Sequence, residues 1–159
     1  MKIFIIIDET PFFHPSFLND LLIKIKEDVV GVGLVTKIPK KSNLKNYLIK
    51  NFYFLRFSEI IKLIIYSINY KLIGLINIFK NTKSFSSVKS VLVYHKIPFF
   101  NIEKNINQEK YLSQIKNLSP DIIISSNSLI FKKGILSIPK ICSINRHSSL
   151  LPLYGGLWP

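Results

Sequence analysis

The sequence has no alanine, six glycines and a single cysteine among its 159 residues. One cysteine, Cys142, excludes an internal disulfide and indicates a reducing compartment. Its apolar neighbours predict that it is a small core residue rather than a nucleophile. The three histidines, His14, His95 and His147, are too far apart in the sequence to predict a zinc site, so no metal is expected.

Acidic residues are also scarce. Nine Asp and Glu face 22 Lys and Arg, which gives a formal net charge of +13. A disordered chain is nevertheless disfavoured, because 48% of the residues are hydrophobic and 13% are aromatic. Two explanations of the charge stay open: a compositional bias towards Lys, Ile and Asn, and an anionic partner.

Several common segments are missing. The start, "MKIFIIIDETPFF", is interrupted by Asp8 and Glu9 and has no small-residue cleavage site, so it predicts a first strand rather than a signal peptide. "GVG" at 31–33 lies inside a strand-like run and is followed by Thr36 where a dinucleotide fingerprint needs Gly or Ala. There is no Walker motif. The single cysteine and the start of the sequence, which does not predict a signal peptide, together lead us to expect a cytoplasmic location.

Apolar, β-branched runs alternate with helical periodicity along the chain. Such alternation predicts a Rossmann-like, doubly wound α/β fold with a mostly parallel sheet and helices on both faces. Helices are predicted over about 14–28, 87–97 and 107–120. The predicted strands are Ile3–Ile7, Val29–Thr36, Pro98–Ile102, Asp121–Ser125 and Ile141–Asn145.

A basic helical insertion is predicted at about 38–83. From Lys37 to Lys83 there are ten Lys or Arg and a single acid, Glu59. Residues 60–80 form an amphipathic pattern, and a central Lys71 disfavours a membrane span by about 2.5–3.5 kcal/mol. Docking of the apolar face on protein and peripheral contact with an anionic membrane both stay open. That face comprises Ile61, Ile64, Ile65, Ile68, Leu72, Leu75, Ile76 and Phe79.

Polar residues follow two of the predicted strands. Ser125 to Ser128 follow "DIII", and Asn145 and His147 follow "ICSI". Ligands bind beyond the carboxyl ends of strands in open α/β sheets. Asn145 and His147 are two apart, so they should point the same way along extended backbone. An amide donor beside an imidazole could stabilise a carbonyl oxygen that gains negative charge and manage a proton.

The longer string "NRHSSLLPLYGG" resembles the signature of the folate-dependent formyltransferases, and "SPDIIISSNSLIFKKGILSIPKICSIN" resembles the stretch before it. The family includes methionyl-tRNA, glycinamide ribonucleotide and sugar-nucleotide formyltransferases. The resemblance implies that residues 1–159 form part of the N-terminal catalytic domain. It also implies transfer of a formyl group from 10-formyltetrahydrofolate to a primary amine, on methionyl-tRNA or an amino-sugar nucleotide.

The resemblance further implies a role for each matched position. Asn145 and His147 would polarise the formyl group. A loop would meet the pterin, and a turn would shape the site beneath it. The loop comprises Ser126, Asn127, Ser128, Leu129 and Ile130, and the turn comprises Ser149, Leu150, Leu151 and Pro152.

The sequence departs from the family pattern in two places. Gly155 stands where a basic residue is common, and no Asp follows His147, although the family has a third catalytic Asp there. The expectation is therefore a C-terminally incomplete catalytic domain whose formyl transfer is negligible without that Asp. The alternative is a non-catalytic remnant that binds folate, or an anionic surface such as membrane or RNA through its basic helices.

Overall fold

The computed structural model describes residues 1–10, 13–37 and 85–147, together with residues 57–59, 61–62, 64–65, 68–69 and 72. Five parallel strands form one sheet in the order β3-β2-β1-β4-β5. The strands are β1 Ile3–Asp8, β2 Val29–Lys37, β3 Phe99–Glu103, β4 Ile122–Ser126 and β5 Cys142–Asn145. The helices are α1 Phe13–Ile25, a 3-10 turn Lys26–Asp28, α2 Val88–His95, α3 Glu109–Leu118 and α4 Lys133–Leu136.

This architecture confirms the predicted Rossmann-like fold. All five strands lie where the β-branched runs predict them, with each end within one residue of the expected position. The first predicted helix is shorter than expected: α1 ends at Ile25, and the chain tightens into the 3-10 turn before β2.

Strand β1 lies at the centre of the sheet and is buried along its whole length. Its odd-numbered side chains pack with α1 and α2, and Phe4 and Ile6 pack on the opposite side with α3 and α4. Helix α1 contributes Leu18 and Leu22, one turn apart and fully buried. The period of two in the strands and of 3.6 in the helices thus gives two apolar layers around one sheet.

The glycines of "GVG" lie inside β2, as the sequence predicts, and one of them permits close packing. A Cβ on Gly33 would lie 2.5 Å from Cδ1 of Ile102, which is fully buried. Gly33 therefore permits close packing against Ile102 of the neighbouring strand β3, and a Cβ on Gly31 would lie 3.3 Å from Cδ1 of Leu118 on α3.

One expectation about an individual surface is wrong. Cys142 is exposed, because β5 lies at the margin of the five-stranded sheet and its side chains are exposed. The described residues between 57 and 72 are helical, and docking on protein and contact with a membrane both stay predictions for their apolar face, which is exposed among these residues. Its exposed members are Ile61, Ile64, Ile65, Ile68 and Leu72.

Much of the predicted basic insertion, including Leu75, Ile76 and Phe79, lies outside the described residues. Within the part of the chain that the structure describes, no helix is both long and apolar enough to cross a bilayer.

Candidate functional site

A cavity of about 270 Å³ opens at the carboxyl ends of β4 and β5, beside α4. Its wall combines apolar and polar side chains. The apolar side chains come from the loop after β4 and from α4, and the polar ones come from the two strands and the loop. The lining residues are Ser125, Asn127, Leu129, Phe131, Leu136, Ser143 and Asn145.

The Asn145 amide is fixed at the edge of this cavity. The Ser125 hydroxyl, which is buried, donates to Asn145 Oδ1 at 2.8 Å. Pairing between β4 and β5 continues past this point, because Arg146 N donates to the Ser125 carbonyl oxygen at 2.8 Å. With its oxygen held by Ser125, the Asn145 amide presents its Nδ2 group as the hydrogen-bond donor for a ligand.

Side chains of the loop after β4 hold it against the cavity. Asn127 Oδ1 accepts from the Leu129 N–H at 2.8 Å, a local Asx turn. Asn107 reaches across from the segment before α3, where Nδ2 donates to the Ile130 carbonyl and Oδ1 accepts from the Lys132 N–H, both at 2.8 Å. The loop therefore has a defined course that places Asn127 and Leu129 in the cavity wall.

A second polar group lies on the α1 side of the same strand ends. Ser126 Oγ lies 3.2 Å from Nε2 of His14 and accepts from Nη1 of Arg146 at 3.2 Å. His14 Nδ1 lies 3.0 Å from the Thr10 hydroxyl and 3.1 Å from the Asp8 carbonyl oxygen. Burial lowers the pKa of His14, and the nearby Arg146 charge adds to that effect, while Asp8 opposes it.

Asp8 links the first strand to the loop after β4. Its carboxylate Oδ2 accepts from the Ser128 N–H at 3.0 Å, and the residue is only 6% exposed. Its Oδ1 has no hydrogen-bond partner among the described residues. Burial raises the pKa of Asp8, against the opposing effects of Ser128 and His14.

Among the described residues, the structure brings three of the predicted site residues together at the cavity and places the others apart from it. Asn145, Asn127 and Leu129 meet at the cavity. Ser126 and Ser128 instead contact His14, Arg146 and Asp8. His147 is exposed two residues beyond β5 and is not among the cavity-lining residues, and Ile130 is 71% exposed. The predicted turn, Ser149 to Pro152, lies outside the described residues.

Sequence reasoning missed three residues of this region and gave Asp8 no role. It treated His14 as an isolated histidine and Arg146 as a spacer, and it overlooked Ser125 as the partner of Asn145. The last could have been found, because the predicted strands Asp121–Ser125 and Ile141–Asn145 are equally long, and pairing them in parallel places Ser125 opposite Asn145, as observed. Across the described ranges, no group of three or more His, Cys, Asp or Glu is placed to hold a metal ion.

Comparison with known proteins gives a consistent set of relatives. The chain is 49% identical over 76 residues to the bifunctional polymyxin resistance protein ArnA of Wigglesworthia glossinidia brevipalpis, covering 47% of this chain and 12% of that protein. It is 42% identical over 73 residues to methionyl-tRNA formyltransferase of Sulfurihydrogenibium sp., covering 45% of this chain and 24% of the relative. For the methionyl-tRNA formyltransferase of Thermotoga maritima the identity is 38% over 73 residues, or 45% and 23% of the two chains.

No family model matches the chain. The chain spans between 12% and 24% of the length of these three relatives. The relatives are formyltransferases by name, with the exception of the bifunctional protein. Over 45–48% of its length, this chain is similar to methionyl-tRNA formyltransferases.

Proposed function

We propose that the cavity at the ends of β4 and β5 belongs to a formyl-transfer site that moves a formyl group from 10-formyltetrahydrofolate to a primary amine. The observation that carries the proposal is the meeting of Asn145 with Asn127 and Leu129 around one cavity. Asn145 lies in the Asn-x-His string, and Asn127 and Leu129 lie in the loop to which the resemblance assigns the pterin. Two segments with separate assignments thus converge on the same space.

The residues present fit the donor. A volume of about 270 Å³ lies just below the range of about 300–1,000 Å³ that is common for small-molecule sites, so the cavity suits a ring system rather than the whole molecule. Leu129, Phe131 and Leu136 offer apolar surface to the faces of a flat ring. Ser125, Asn127 and Ser143 offer the polar atoms that its nitrogen-rich edge needs.

Asn145 and His147 carry the chemistry in this proposal. The donor supplies the formyl group, and the Asn145 Nδ2 group donates a hydrogen bond to the carbonyl oxygen as negative charge develops there. Ser125 contributes by fixing the amide oxygen, so that the amide does not flip. His147, an imidazole two residues further on, takes up the proton that the attacking amine releases. That proton passes to N10 of the folate as the bond between the formyl carbon and N10 breaks, so that tetrahydrofolate leaves.

The acceptor is a primary amine in either of two settings. Methionyl-tRNA is the substrate in the names of several relatives, and an amino-sugar nucleotide is the other acceptor that the family resemblance implies. The net charge of +13 suits both, because each carries phosphate. We keep both as acceptors to be tested.

Donor binding is the direct test. Titration of the chain with 10-formyltetrahydrofolate should show saturable binding, which Asn145→Asp should weaken because the carboxylate keeps the size but loses the donor. Formyl transfer to both acceptors is measured in parallel, and loss of one such donor typically costs about 100-fold or more in rate. Lys140→Met is the control, since Lys140 lies before β5 and pairs with Asp121 at 3.5 Å, at the other end of the strand from the cavity.

Each outcome has a meaning. Absence of donor binding by the unmodified chain would overturn the proposal. Binding that Asn145→Asp abolishes, without transfer to either amine, would favour a chain that binds folate without turnover, which is the outcome expected both of the remnant and of a catalytic domain without its third catalytic Asp. Transfer that survives both Asn145→Asp and His147→Ala would show that the chemistry lies elsewhere.

A second candidate function is binding to an anionic membrane surface, and it has a specific observation in its favour. The helical residues between 57 and 72 expose Ile61, Ile65 and Leu72 by 42–51%, within a stretch of ten basic residues and one acid. Apolar side chains flanked by lysines suit the interface of a bilayer that contains acidic lipids.

Vesicle sedimentation tests this second candidate. The chain should sediment with phosphatidylserine-containing vesicles and much less with phosphatidylcholine vesicles, and added salt should weaken the binding. Ile65→Asp should reduce binding, whereas Val93→Asp, an equally drastic change at a 61% exposed position on α2, should not. Equal binding by the two variants would contradict the assignment.

A further inference from the structure

Arg146 lies between the two proposed catalytic residues, and its side chain is held on the opposite face of the sheet. Its Nη1 donates to Ser126 Oγ at 3.2 Å, and its guanidinium lies 4.4 Å from the centre of the Phe17 ring on α1. The residue is exposed, so its head group could have remained in water. Two directed contacts anchor it instead.

The Ser126 hydroxyl links Arg146 to His14 through hydrogen bonds. Arg146 can only donate, so Ser126 Oγ accepts that bond. In the His14 tautomer that carries its hydrogen on Nδ1, the Ser126 hydroxyl donates to His14 Nε2, 3.2 Å away. His14 Nε2 then carries no hydrogen, and Nδ1–H donates to the Asp8 carbonyl oxygen at 3.1 Å. A neutral His14 with its hydrogen on Nδ1 satisfies every bond of this chain, and the lowered pKa of His14 agrees with that state.

We propose that Arg146 is a positioning residue: anchored on the α1 face by Ser126 and Phe17, it holds the end of β5 so that the Asn145 amide faces the cavity. This inference rests on the proposed formyl-transfer function. Successive side chains of an extended strand point to opposite faces, so fixing Arg146 on one face fixes Asn145 on the other. The parallel β4 strand shows the same division, with Ser125 towards the cavity and Ser126 towards α1.

The anchoring matters because β5 is the marginal strand of the sheet among the described residues. The side chains of Cys142 to Asn145 are exposed, and β5 pairs with β4 along one side. The backbone bond from Arg146 N to the Ser125 carbonyl, at 2.8 Å, sets the register of this end, and the anchored side chain sets its rotation. Small errors in the placement of a catalytic donor are costly in rate.

Substitutions at Arg146 test the inference. Arg146→Met keeps a long apolar stem for Phe17 but removes the donors, Arg146→Lys keeps the charge and one donor group, and Lys140→Met is the charge-matched control. The first readout is the Asn145 side-chain amide in ¹⁵N-correlated NMR spectra, assigned with Asn145→Asp. The second is 10-formyltetrahydrofolate binding, and the third is kcat and KM for formyl transfer.

Arg146→Met should shift or broaden the Asn145 amide signals. It should also lower kcat about tenfold while KM changes less than about twofold, which is the signature of a misplaced group rather than a lost binding contact. Arg146→Lys should cause smaller changes in the Asn145 amide signals and in kcat, and Lys140→Met should leave both unchanged. Melting temperature is recorded for every variant, and if Arg146→Met does not fold, Ser126→Ala removes the same bond from the β4 side and is read in the same way.

The outcomes separate this inference from the function on which it rests. An unchanged Asn145 amide in Arg146→Met or Ser126→Ala, with kinetics like those of Lys140→Met, overturns the positioning role and leaves formyl transfer standing. A displaced amide in a chain that neither binds the donor nor transfers formyl supports the positioning of Asn145 and overturns the proposed function.

Discussion

Ser125 and Ser126 are neighbours in β4, yet their hydroxyls serve separate networks on the two faces of the sheet. Ser125 donates to Asn145 at the cavity, and Ser126 joins His14 to Arg146 on the α1 side. Both residues are 4% exposed, so each hydroxyl depends on a protein partner rather than on water. Two adjacent serines thus support the two faces of the same strand end.

Replacing Ser125 with alanine should destabilise the protein modestly. The substitution removes the 2.8 Å bond to Asn145 Oδ1, and we expect the free energy of unfolding to fall by about 1 kcal/mol in urea denaturation. Ser113→Ala is the control, because Ser113 bonds Glu109 on the exposed side of α3 and should change stability by less than about 0.5 kcal/mol. Equal losses in the two variants would contradict the role given to Ser125.

His14 should make stability fall as the solution becomes acidic. Burial holds its pKa in the folded state below the ordinary value of 6.5, so below about pH 6.5 the unfolded chain takes up a proton that the folded chain refuses. Unfolding free energy should therefore decrease as pH falls from there. The slope should be well under about 1.4 kcal/mol per pH unit, because His14 is only partly buried and water screens it.

The groups around His14 act on it in both directions. Asp8 and Glu9 at the end of β1 favour its protonated form, and Arg146 after β5 disfavours it. Asp8 depends on pH in the opposite sense: its pKa in the folded state is raised above 3.8, so its contribution to stability is lost as pH rises through that folded value.

His14→Gln keeps an acceptor for Ser126 and removes the titration of His14. In urea denaturation between pH 7.5 and 5.5, the unfolding free energy of this variant should therefore change less with pH. An unchanged dependence of the unfolding free energy on pH would show that another group causes it. His95 would then be the next group to test, since burial lowers its pKa as well.

At the scale of elements, helix α2 shows how a distant residue completes a local structure. The N–H groups of Val88 and Lys89 donate to the two carboxylate oxygens of Glu9, both at 3.0 Å. The next N–H, of Ser90, donates to the Ser87 side chain at 3.1 Å. Three of the four N–H groups that a helix start leaves unpaired are therefore satisfied, two of them from the end of β1.

Glu9→Ala should destabilise the protein by about 1–2 kcal/mol, because it removes a charged cap at a helix N-terminus and leaves two N–H groups without their acceptor. Glu9→Gln should lose less, since its amide oxygen still accepts. Hydrogen exchange at the Val88 and Lys89 amides should accelerate in Glu9→Ala. The control is Glu27→Ala in the exposed 3-10 turn, and a loss of stability there as large as at Glu9 would argue against a specific capping effect.

At the scale of the whole molecule, the sheet order brings residues from the beginning and the end of the described chain together. Strand β1 lies between β2 and β4, so the chain connections on its two sides run in opposite directions across the sheet. Polar groups collect at the carboxyl ends of the strands at this point. His14 and Ser126 are 112 residues apart in sequence and 3.2 Å apart in space. The cavity lies one strand further along, between β4 and β5.

The net charge of +13 should make stability depend on salt. Mutual repulsion of the lysines acts against the compact state, so raising NaCl from about 10 mM to 150 mM, which shortens the screening length from about 30 Å to about 8 Å, should raise the melting temperature. Replacing the exposed Lys24, Lys89 and Lys116 with glutamine should raise the melting temperature at low salt and reduce the salt effect. A melting temperature that falls with added salt would show that attractive pairs dominate instead.

The sequence by itself determined the elements and much of the core. The β-branched runs specify the five strands, and the helical periodicity specifies α1, α2 and α3, because these patterns reflect local geometry and burial of one face. It also predicted Asn145, Asn127 and Leu129 as site residues, through polar side chains at strand ends and through the family resemblance, and these three residues line one cavity. These features depend on residues close to one another in the chain.

Tertiary structure alone decided which strand ends are neighbours. The roles of His14, Ser126 and Arg146 depend on β4 lying between β1 and β5, and no local pattern encodes that adjacency. The exposure of Cys142 has the same origin, since an apolar run reads alike at the centre and at the margin of a sheet. Burial and hydrogen bonding between distant residues are set by packing, whereas strand and helix periodicity is set by the backbone of each segment.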